Sequence, residues 1–304
     1  MTSGLIGAVE AGGTKFVLAL ARASGEVIER ARIATRTPDE TFAEMRTFFS
    51  AAQDRFGQIG GIGIASFGPI DIDPASPTYG TFTTTPKPGW SGARFHDALG
   101  EFNAPLAVDT DVNGAALGEW LEGAGRGCTT LTYTTVGTGI GTGVLGSGKP
   151  KGGMGHYEAG HIRVPLDISR DRFGGICPFH GNCLEGLASG PAIEARFGTS
   201  LDLLEGKARG EAVKLIGGYL ADFAATLVLL HMPDRLIFGG GVMKAPGLIE
   251  EVRRQTEARL GGYVRHAPLT PGLADYIAAP ALGDDAGLNG AIELGRRALA
   301  QRRD

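Results

Sequence analysis

The residue types best suited to chemistry crowd into one short stretch. Cys177, His180 and Cys183 stand three apart in CPFHGNC, and His161 lies upstream in Glu158-Ala159-Gly160-His161. Between His156 and Ser189 fall three of the chain's six histidines and two of its three cysteines. Two thiolates and two imidazoles form a four-ligand set that suits tetrahedral zinc. One short loop supplies three ligands, and the fourth closes a larger one. Gly174, Gly175, Pro178 and Gly181 let the backbone bend around an ion. The competing reading is free buried thiols beside surface imidazoles. It suits a lone Cys or His better than four ligands clustered in a cysteine-poor chain. A closed four-ligand zinc is structural. Glu158 and Glu185 flank the set without fitting the ligand count. They are either held to accept hydrogen bonds from hydroxyls or are ordinary solvated carboxylates.

A second chemistry is written in glycine. Glu10-Ala11-Gly12-Gly13-Thr14-Lys15 joins two apolar runs, as does Gly137-Thr138-Gly139. A triple glycine, Gly239-Gly240-Gly241, ends another. Such turns offer backbone N–H groups and hydroxyls to phosphate, here expected in a cleft between two halves. Glu10 and Asp111 each stand where an apolar strand ends, and strand ends converge on the site in sheets of this kind. One carboxylate is a candidate for binding a metal through water, the other for general base. Asp111 also fits a helix N-cap, a task open equally to Asp109 or Thr110. Two further motifs are decoys. GVLGSGKP, from Gly143, lacks the final hydroxyl of a P-loop, and Pro150 has no N–H for a phosphate. Gly141–Gly146 matches G-x-G-x-x-G, but no helix follows it.

The elements that must position these residues read as α/β. Strands are expected at Leu5–Val9, Phe16–Ala21 and Val27–Ile33. Thr37-Pro38-Asp39-Glu40 is a capping box, and Phe42, Met45, Phe49, Ala52 and Phe56 share one face of the helix it opens. A strand follows at Gly61–Ala65. Tyr79–Trp90 has no helical period and two prolines, and reads as a long ordered loop. Ser91 is expected to cap a short helix, before a strand at Leu106–Val108 and a helix bearing Trp120. Strands at Thr129–Thr135 and Val144–Leu145 flank the second glycine turn, which makes a weak internal repeat of the first. A long helix is expected at Glu211–Leu230, a strand at Arg235–Phe238, and helices at Pro246–Leu260 and Ala286–Leu299. This order predicts mixed sheets.

Composition sets bounds. The 304 residues, 42% hydrophobic and 20% charged, suit a globular protein of two ordinary domains or one large one. A net charge of −4 disfavours general affinity for nucleic acid. No apolar run is expected to reach membrane-spanning length, and the N-terminus lacks a basic region followed by an apolar core, so the cytoplasm is the expected location. Three cysteines, two of them in the ligand set, argue against a disulfide framework, and Cys128 reads as a small buried residue.

EAGGTK, TVGTGIGTG, DTDVNGAA, EAGH with CPFHGNCLEG, FGGGV and LGDDAGLNGA occur in the order found in the ROK family, which the chain resembles over nearly its whole length. That family groups sugar kinases with repressors on the actin-like ATPase (ribonuclease H-like) fold. ASFGPIDID, YGTFTTTPKPGW and CPFHGNCLEGLASGPA are similar to its bacterial fructokinase branch. The resemblance implies two α/β domains with mixed sheets around a central cleft. They are expected at 1–110, with the C-terminal helix 286–304 packing back on it, and at 111–285, carrying the zinc loop 156–189. It implies phosphorylation of a hexose hydroxyl by Mg·ATP, with fructose and the 6-hydroxyl expected. Asp111 matches the base, and Thr110, Asp111, Glu158, His161 and Glu185 match sugar-contacting positions. Gly12, Gly13, Thr14 and Lys15, then Gly137, Thr138 and Gly139, match the phosphate loops, and Gly240 and Gly241 the adenosine side. His161, Cys177, His180 and Cys183 match the zinc ligands, and Glu10 the magnesium position.

Three positions depart from the commoner pattern. Thr110 replaces asparagine, His180 replaces cysteine, and Glu10 stands where many relatives have aspartate. The resemblance also implies a homodimer, with no nucleic-acid or membrane partner. Kinases of glucose, mannose or N-acetylhexosamines are the neighbouring expectations. A sugar-sensing repressor is disfavoured, since the first strand begins by Leu5 without room for a helix-turn-helix.

Overall fold

The computed structural model describes residues 4–301 apart from 154, 167, 170, 267, 268, 270 and 271. The chain forms two compact units. One comprises the chain up to Leu121, Pro150–His156 and the chain from Asp284 onward. The other comprises Glu122–Lys149 and Tyr157–Gly283. The sequence division before Asp111 thus shifts to Leu121, because the helix that begins at Asp111 packs within the first unit.

In the first unit β1 (Leu5–Ala11), β2 (Lys15–Arg22) and β3 (Val27–Ala34) form an antiparallel meander. Helix α1 (Pro38–Phe56) then leads to β4 (Ile59–Ser66), and the short α2 (Phe95–Leu99) to β5 (Leu106–Thr110) and α3 (Asp111–Glu122). The sheet order is β3-β2-β1-β4-β5, with β4 parallel to both its neighbours. The capping box is formed: Glu40 N–H donates to Thr37 Oγ1, and Thr37 N–H donates to Glu40 Oε2. Phe42, Met45, Phe49 and Ala52 are buried as expected of one helix face. Phe56 is instead 39% exposed, with the Arg55 guanidinium over its ring. Ser91 does not cap α2, which starts at Phe95 after an extended Arg94 with no side-chain cap. Ser91 Oγ accepts the Thr85 N–H within the preceding loop.

The second unit repeats the plan. β6 (Thr130–Val136) and β7 (Ile140–Gly146) are an antiparallel hairpin continued by β8 (Lys149–Pro150). After the Cys/His segment come α4 (Leu184–Ala188), α5 (Gly190–Phe197) and α6 (Gly206–His231), then β9 (Arg235–Gly239), α7 (Leu248–Leu260) and β10 (Ile277–Ala278). The order β10-β9-β6-β7-β8, with β9 parallel to β6 and β10, mirrors the first sheet. The weak repeat of glycine hairpins is therefore a repeat of topology. Helix α6 corrects the expectation about apolar runs, being long and apolar enough to cross a membrane by length and composition. However, 61% of that stretch is buried, where it packs against α4 and α7.

Helix α8 (Ala286–Gln301) returns to the first sheet and lies on β1 and β4. The approach is close enough to require glycine. A Cβ on Gly290 would fall 1.8 Å from the Gly114 carbonyl oxygen, and one on Gly63 would fall 1.9 Å from that of Ala291.

Candidate functional site

The turn between β1 and β2 has an unusual hydrogen-bond balance. Thr35 takes two of its carbonyls: the Thr35 hydroxyl donates to Gly12 O at 2.7 Å and its N–H to Thr14 O at 3.0 Å. The Lys87 ammonium donates to Gly13 O at 2.6 Å. The Gly12 N–H closes the turn on Lys15 O. Among the described residues no acceptor meets the N–H of Gly13 or Thr14. A turn with its carbonyls engaged and successive N–H groups open is a nest for an anion.

Glu10 precedes this turn on β1. Its carboxylate rests against α8, where a Cβ on Gly287 would meet Glu10 Oε1 at 2.6 Å. Among the described residues, its buried Oε2 accepts no hydrogen bond. Burial pushes the carboxyl from its ordinary value up to about 7; Lys15 and Arg30 pull it down, and Asp111 and Asp285 push it up. A buried, unpartnered carboxylate with two more carboxylates in electrostatic reach suits a bound cation.

Asp111 opens α3, where β5 ends. The capping alternative resolves onto its neighbour, since Thr110 Oγ1 accepts the Asn113 N–H at 3.2 Å. Asp109 is buried and accepts from Thr110 N–H at 2.8 Å and from Asn113 Nδ2 at 2.6 Å. Burial raises its carboxyl above the usual range, against those hydrogen bonds. Asp111 Oδ1 accepts the adjacent Val112 N–H at 2.8 Å. Thr110 thus carries the capping contact to Asn113, beside the half-exposed Asp111.

In the second unit the β6–β7 turn has the same balance. Gly137 N–H donates to Gly139 O, Gly190 N–H donates to Gly137 O at 2.8 Å, and among the described residues the N–H of Thr138 and Gly139 meet no acceptor. Gly240, at φ +92°, lies against Val136, where a Cβ would stand 2.4 Å from its carbonyl oxygen. Gly241 follows it into a single helical turn at Val242–Lys244. Two further segments meet this hairpin at Ile140. Glu185 Oε2 accepts the Ile140 N–H at 2.9 Å, and a Cβ on Gly160 would fall 1.9 Å from Ile140 O. Gly160 lies in the turn Ala159–His161, which follows the exposed Glu158. The structure therefore brings Glu158, His161 and Glu185 to the end of one glycine hairpin.

His161, Cys177, His180 and Cys183 present four ligand atoms within 4.8 Å of one another. His161 Nδ1 lies 3.5 Å from Cys183 Sγ and 3.7 Å from Cys177 Sγ, and His180 Nδ1 lies 3.6 Å from Cys177 Sγ. Tetrahedral bonds of about 2.0–2.3 Å place ligand atoms about 3.3–3.8 Å apart, so the set fits a metal ion. The other ring nitrogen of His161 lies 4.0 Å from Glu185 Oε1. Sequence reasoning missed the anchor of this segment. Asp171 accepts from Arg196 Nη2 at 3.0 Å, the Tyr219 hydroxyl at 2.5 Å and the Phe173 N–H at 3.0 Å. Arg196 Nη1 also donates to Leu187 O, in the helix that carries Glu185. The ion pair is buried, which makes it an ordering contact more than a source of net stability. Its only sequence signal was a charged pair flanking the ligands.

Residues 6–298 match the ROK family. A fructokinase of Zymomonas mobilis is 43% identical, covering 95% of this chain and 96% of its own. A fructokinase of Streptococcus mutans is 40% identical, covering 99% and 98%. A ROK family glucokinase from Streptomyces griseus, solved in complex with glucose and AMPPNP, superposes with a TM-score of 0.71 at 25% identity, covering 97% of this chain and 100% of its own.

The Glu10 carboxyl gives a pH-dependent stability. Between its ordinary value of 4.5 and about 7 the folded protein keeps a proton that the unfolded chain has lost, so stability falls as pH rises through that window. Glu10→Gln removes this cost. In metal-free buffer the variant is expected to be more stable than the parent at pH 8, by up to about 3 kcal/mol, and nearly equal at pH 4. Urea unfolding at the two pH values checks this; an equal difference at both would contradict it.

Proposed function

The chain belongs to the ROK family, and from that premise we propose that it is an ATP-dependent fructokinase that phosphorylates the 6-hydroxyl of D-fructose. The identity to fructokinases over nearly the full length of both chains carries the substrate assignment. The reaction class has its own support in the two open N–H pairs, at Gly13-Thr14 and Thr138-Gly139, since phosphoryl transfer is catalysed mainly by positioning and by offsetting charge. Gly12, Gly13, Thr14 and Lys15 serve the phosphates with Gly137, Thr138 and Gly139, and Gly240 and Gly241 serve the adenosine. Glu158, His161 and Glu185 accept hydrogen bonds from, or pack against, the sugar hydroxyls, with Thr110 and Asp111 near the reacting one. Asp111 takes the proton of the attacking hydroxyl as its oxygen bonds to the γ-phosphorus and ADP leaves. Magnesium, when bound, offsets phosphate charge, and Glu10 is the residue suited to hold it, directly or through water.

The Cys/His set would hold zinc through His161, Cys177, His180 and Cys183. Four protein ligands leave no open position, so this zinc is structural and fixes the segment bearing Glu158 and Glu185. Thiolate ligands suit a reducing compartment, which agrees with a cytoplasmic enzyme, and the resemblance adds a homodimer.

Asp111→Asn is expected to keep fructose binding and to lose about a hundred- to ten-thousand-fold in kcat. A coupled assay over a hexose panel checks both claims: a variant above a tenth of parental kcat removes Asp111 as base, and a higher kcat/KM for glucose or mannose than for fructose removes the substrate assignment. For the metal, elemental analysis is expected to give one zinc per chain in the parent and none in Cys183→Ser, whose KM for fructose rises sharply. A zinc-free variant with unchanged KM would detach the metal from the sugar residues.

A further inference from the structure

The loop Tyr79–Trp90 carries a cation that none of these roles uses. We propose that Lys87 is a further substrate-contacting residue of the kinase, whose ammonium binds the transferring phosphoryl group at the first glycine hairpin. The proposal rests on the reading that Gly12–Thr14 faces phosphate.

The turn that presents Lys87 is built to hold it still. Proline on both sides, Pro86 and Pro88, fixes backbone torsions. Lys87 N–H donates to Thr85 Oγ1 at 3.3 Å, Thr85 Oγ1 donates to Gly68 O at 3.3 Å, and Trp90 N–H returns to Lys87 O at 3.2 Å. Trp90 is fully buried, with its ring against Phe16, Phe42, Phe67 and Phe82 and its Nε1 donating to Arg36 O at 2.9 Å. The far end of the loop is thus sealed into the core, and the lysine is its polar tip.

From this mount the ammonium reaches across 74 positions of sequence to Gly13 O, at 2.6 Å. A neutral carbonyl is a poor final partner for a cation with three donors. Among the described residues, no carboxylate pairs with Lys87. Gly13 O and the Thr14 N–H are opposite ends of one trans peptide, so the ammonium stands at the carbonyl edge of the same turn that leaves the Gly13 and Thr14 N–H groups open. On the Gly13 side nothing lies within 4 Å of where a Cβ would be. A cation at the carbonyl edge of a turn whose amides are open adds a charged donor for phosphoryl oxygens, supplied by a residue from a distant loop.

In the reaction the hydroxyl proton passes to Asp111, the bond from γ-phosphorus to the bridging oxygen breaks as the new P–O bond forms, and ADP leaves. Lys87 exchanges no proton. It donates hydrogen bonds to the equatorial oxygens, where fixed donors act on developing charge.

The test is steady-state kinetics with fructose and ATP on Lys87→Met, Lys87→Arg and Thr14→Val, with calorimetric titration of AMPPNP in magnesium. Lys87→Met is expected to lose about a hundredfold in kcat while KM for fructose stays within about threefold. Lys87→Arg, which keeps the charge, is expected to recover at least a tenth of the parental kcat. Either Lys87→Met with near-parental kcat, or Arg and Met variants equally impaired, would overturn the proposal. Both unfolded would be seen as loss of fructose binding, and Lys87→Gln, which keeps a donor and length without charge, would then decide on the same kcat criterion. Thr14→Val reports on the hydroxyl alone, and the amide resonances of Gly13 and Thr14 separate the two levels: if saturating AMPPNP leaves both in place, the hairpin itself is not a phosphate site and the underlying reading fails, whatever Lys87 does.

Discussion

The arrangement depends on one interaction: a backbone N–H withheld from its own chain at an exposed turn bonds to water until a stronger acceptor displaces it. Among the described residues, the tight turn of each β-hairpin leaves two successive amides without a protein acceptor, while carbonyls around them are engaged. In the first, Thr35 and Lys87 hold the carbonyl side; in the second, Gly190 and the turn's own Gly137 N–H do so. Gly12 and Gly139 allow close approach, to Lys15 O and to the Glu185 carboxylate, and the sheets behind supply rigidity through parallel β4 and β9. Two units of like topology thus present two like pairs of open amides.

The second consequence is the cost of charge near these turns. Glu10 is held in poor solvent contact against α8, where the glycine at 287 permits the approach. Its strained ionisation is an expense of folding that a cation can offset. In the other unit, Glu185 has one oxygen on the Ile140 amide and the other near His161, so a single carboxylate joins the hairpin to the metal-ligand set. Arg196 steadies the same helix from behind through Leu187 O and Asp171.

Much of this was legible in the sequence where chemistry is local. The ligand quartet was visible from spacing, the capping box from Thr37 and Glu40, and the hairpins from glycine between apolar runs. What escaped was set by contacts distant in sequence. Lys87 meets Gly13 only through the folded loop, and Asp171 meets Tyr219 across 48 positions. Ser91 looked like a cap because hydroxyl residues often are, yet its oxygen was taken by Thr85. Helix α6 begins at Gly206, before the apolar period starts, because its first turn is exposed and polar. The choice of Thr110 over Asp111 as cap also needed coordinates, since three adjacent side chains all qualify by type.

The central claim is that both hairpins offer open amides to phosphate, and the most direct measurement is amide-resolved NMR on protein labelled at glycine and threonine. Titration with magnesium and AMPPNP is expected to shift the N–H resonances of Gly13, Thr14, Thr138 and Gly139 more than those of glycines remote from the turns, such as Gly198 and Gly210. Saturable nucleotide binding that left those four resonances in place would contradict the account.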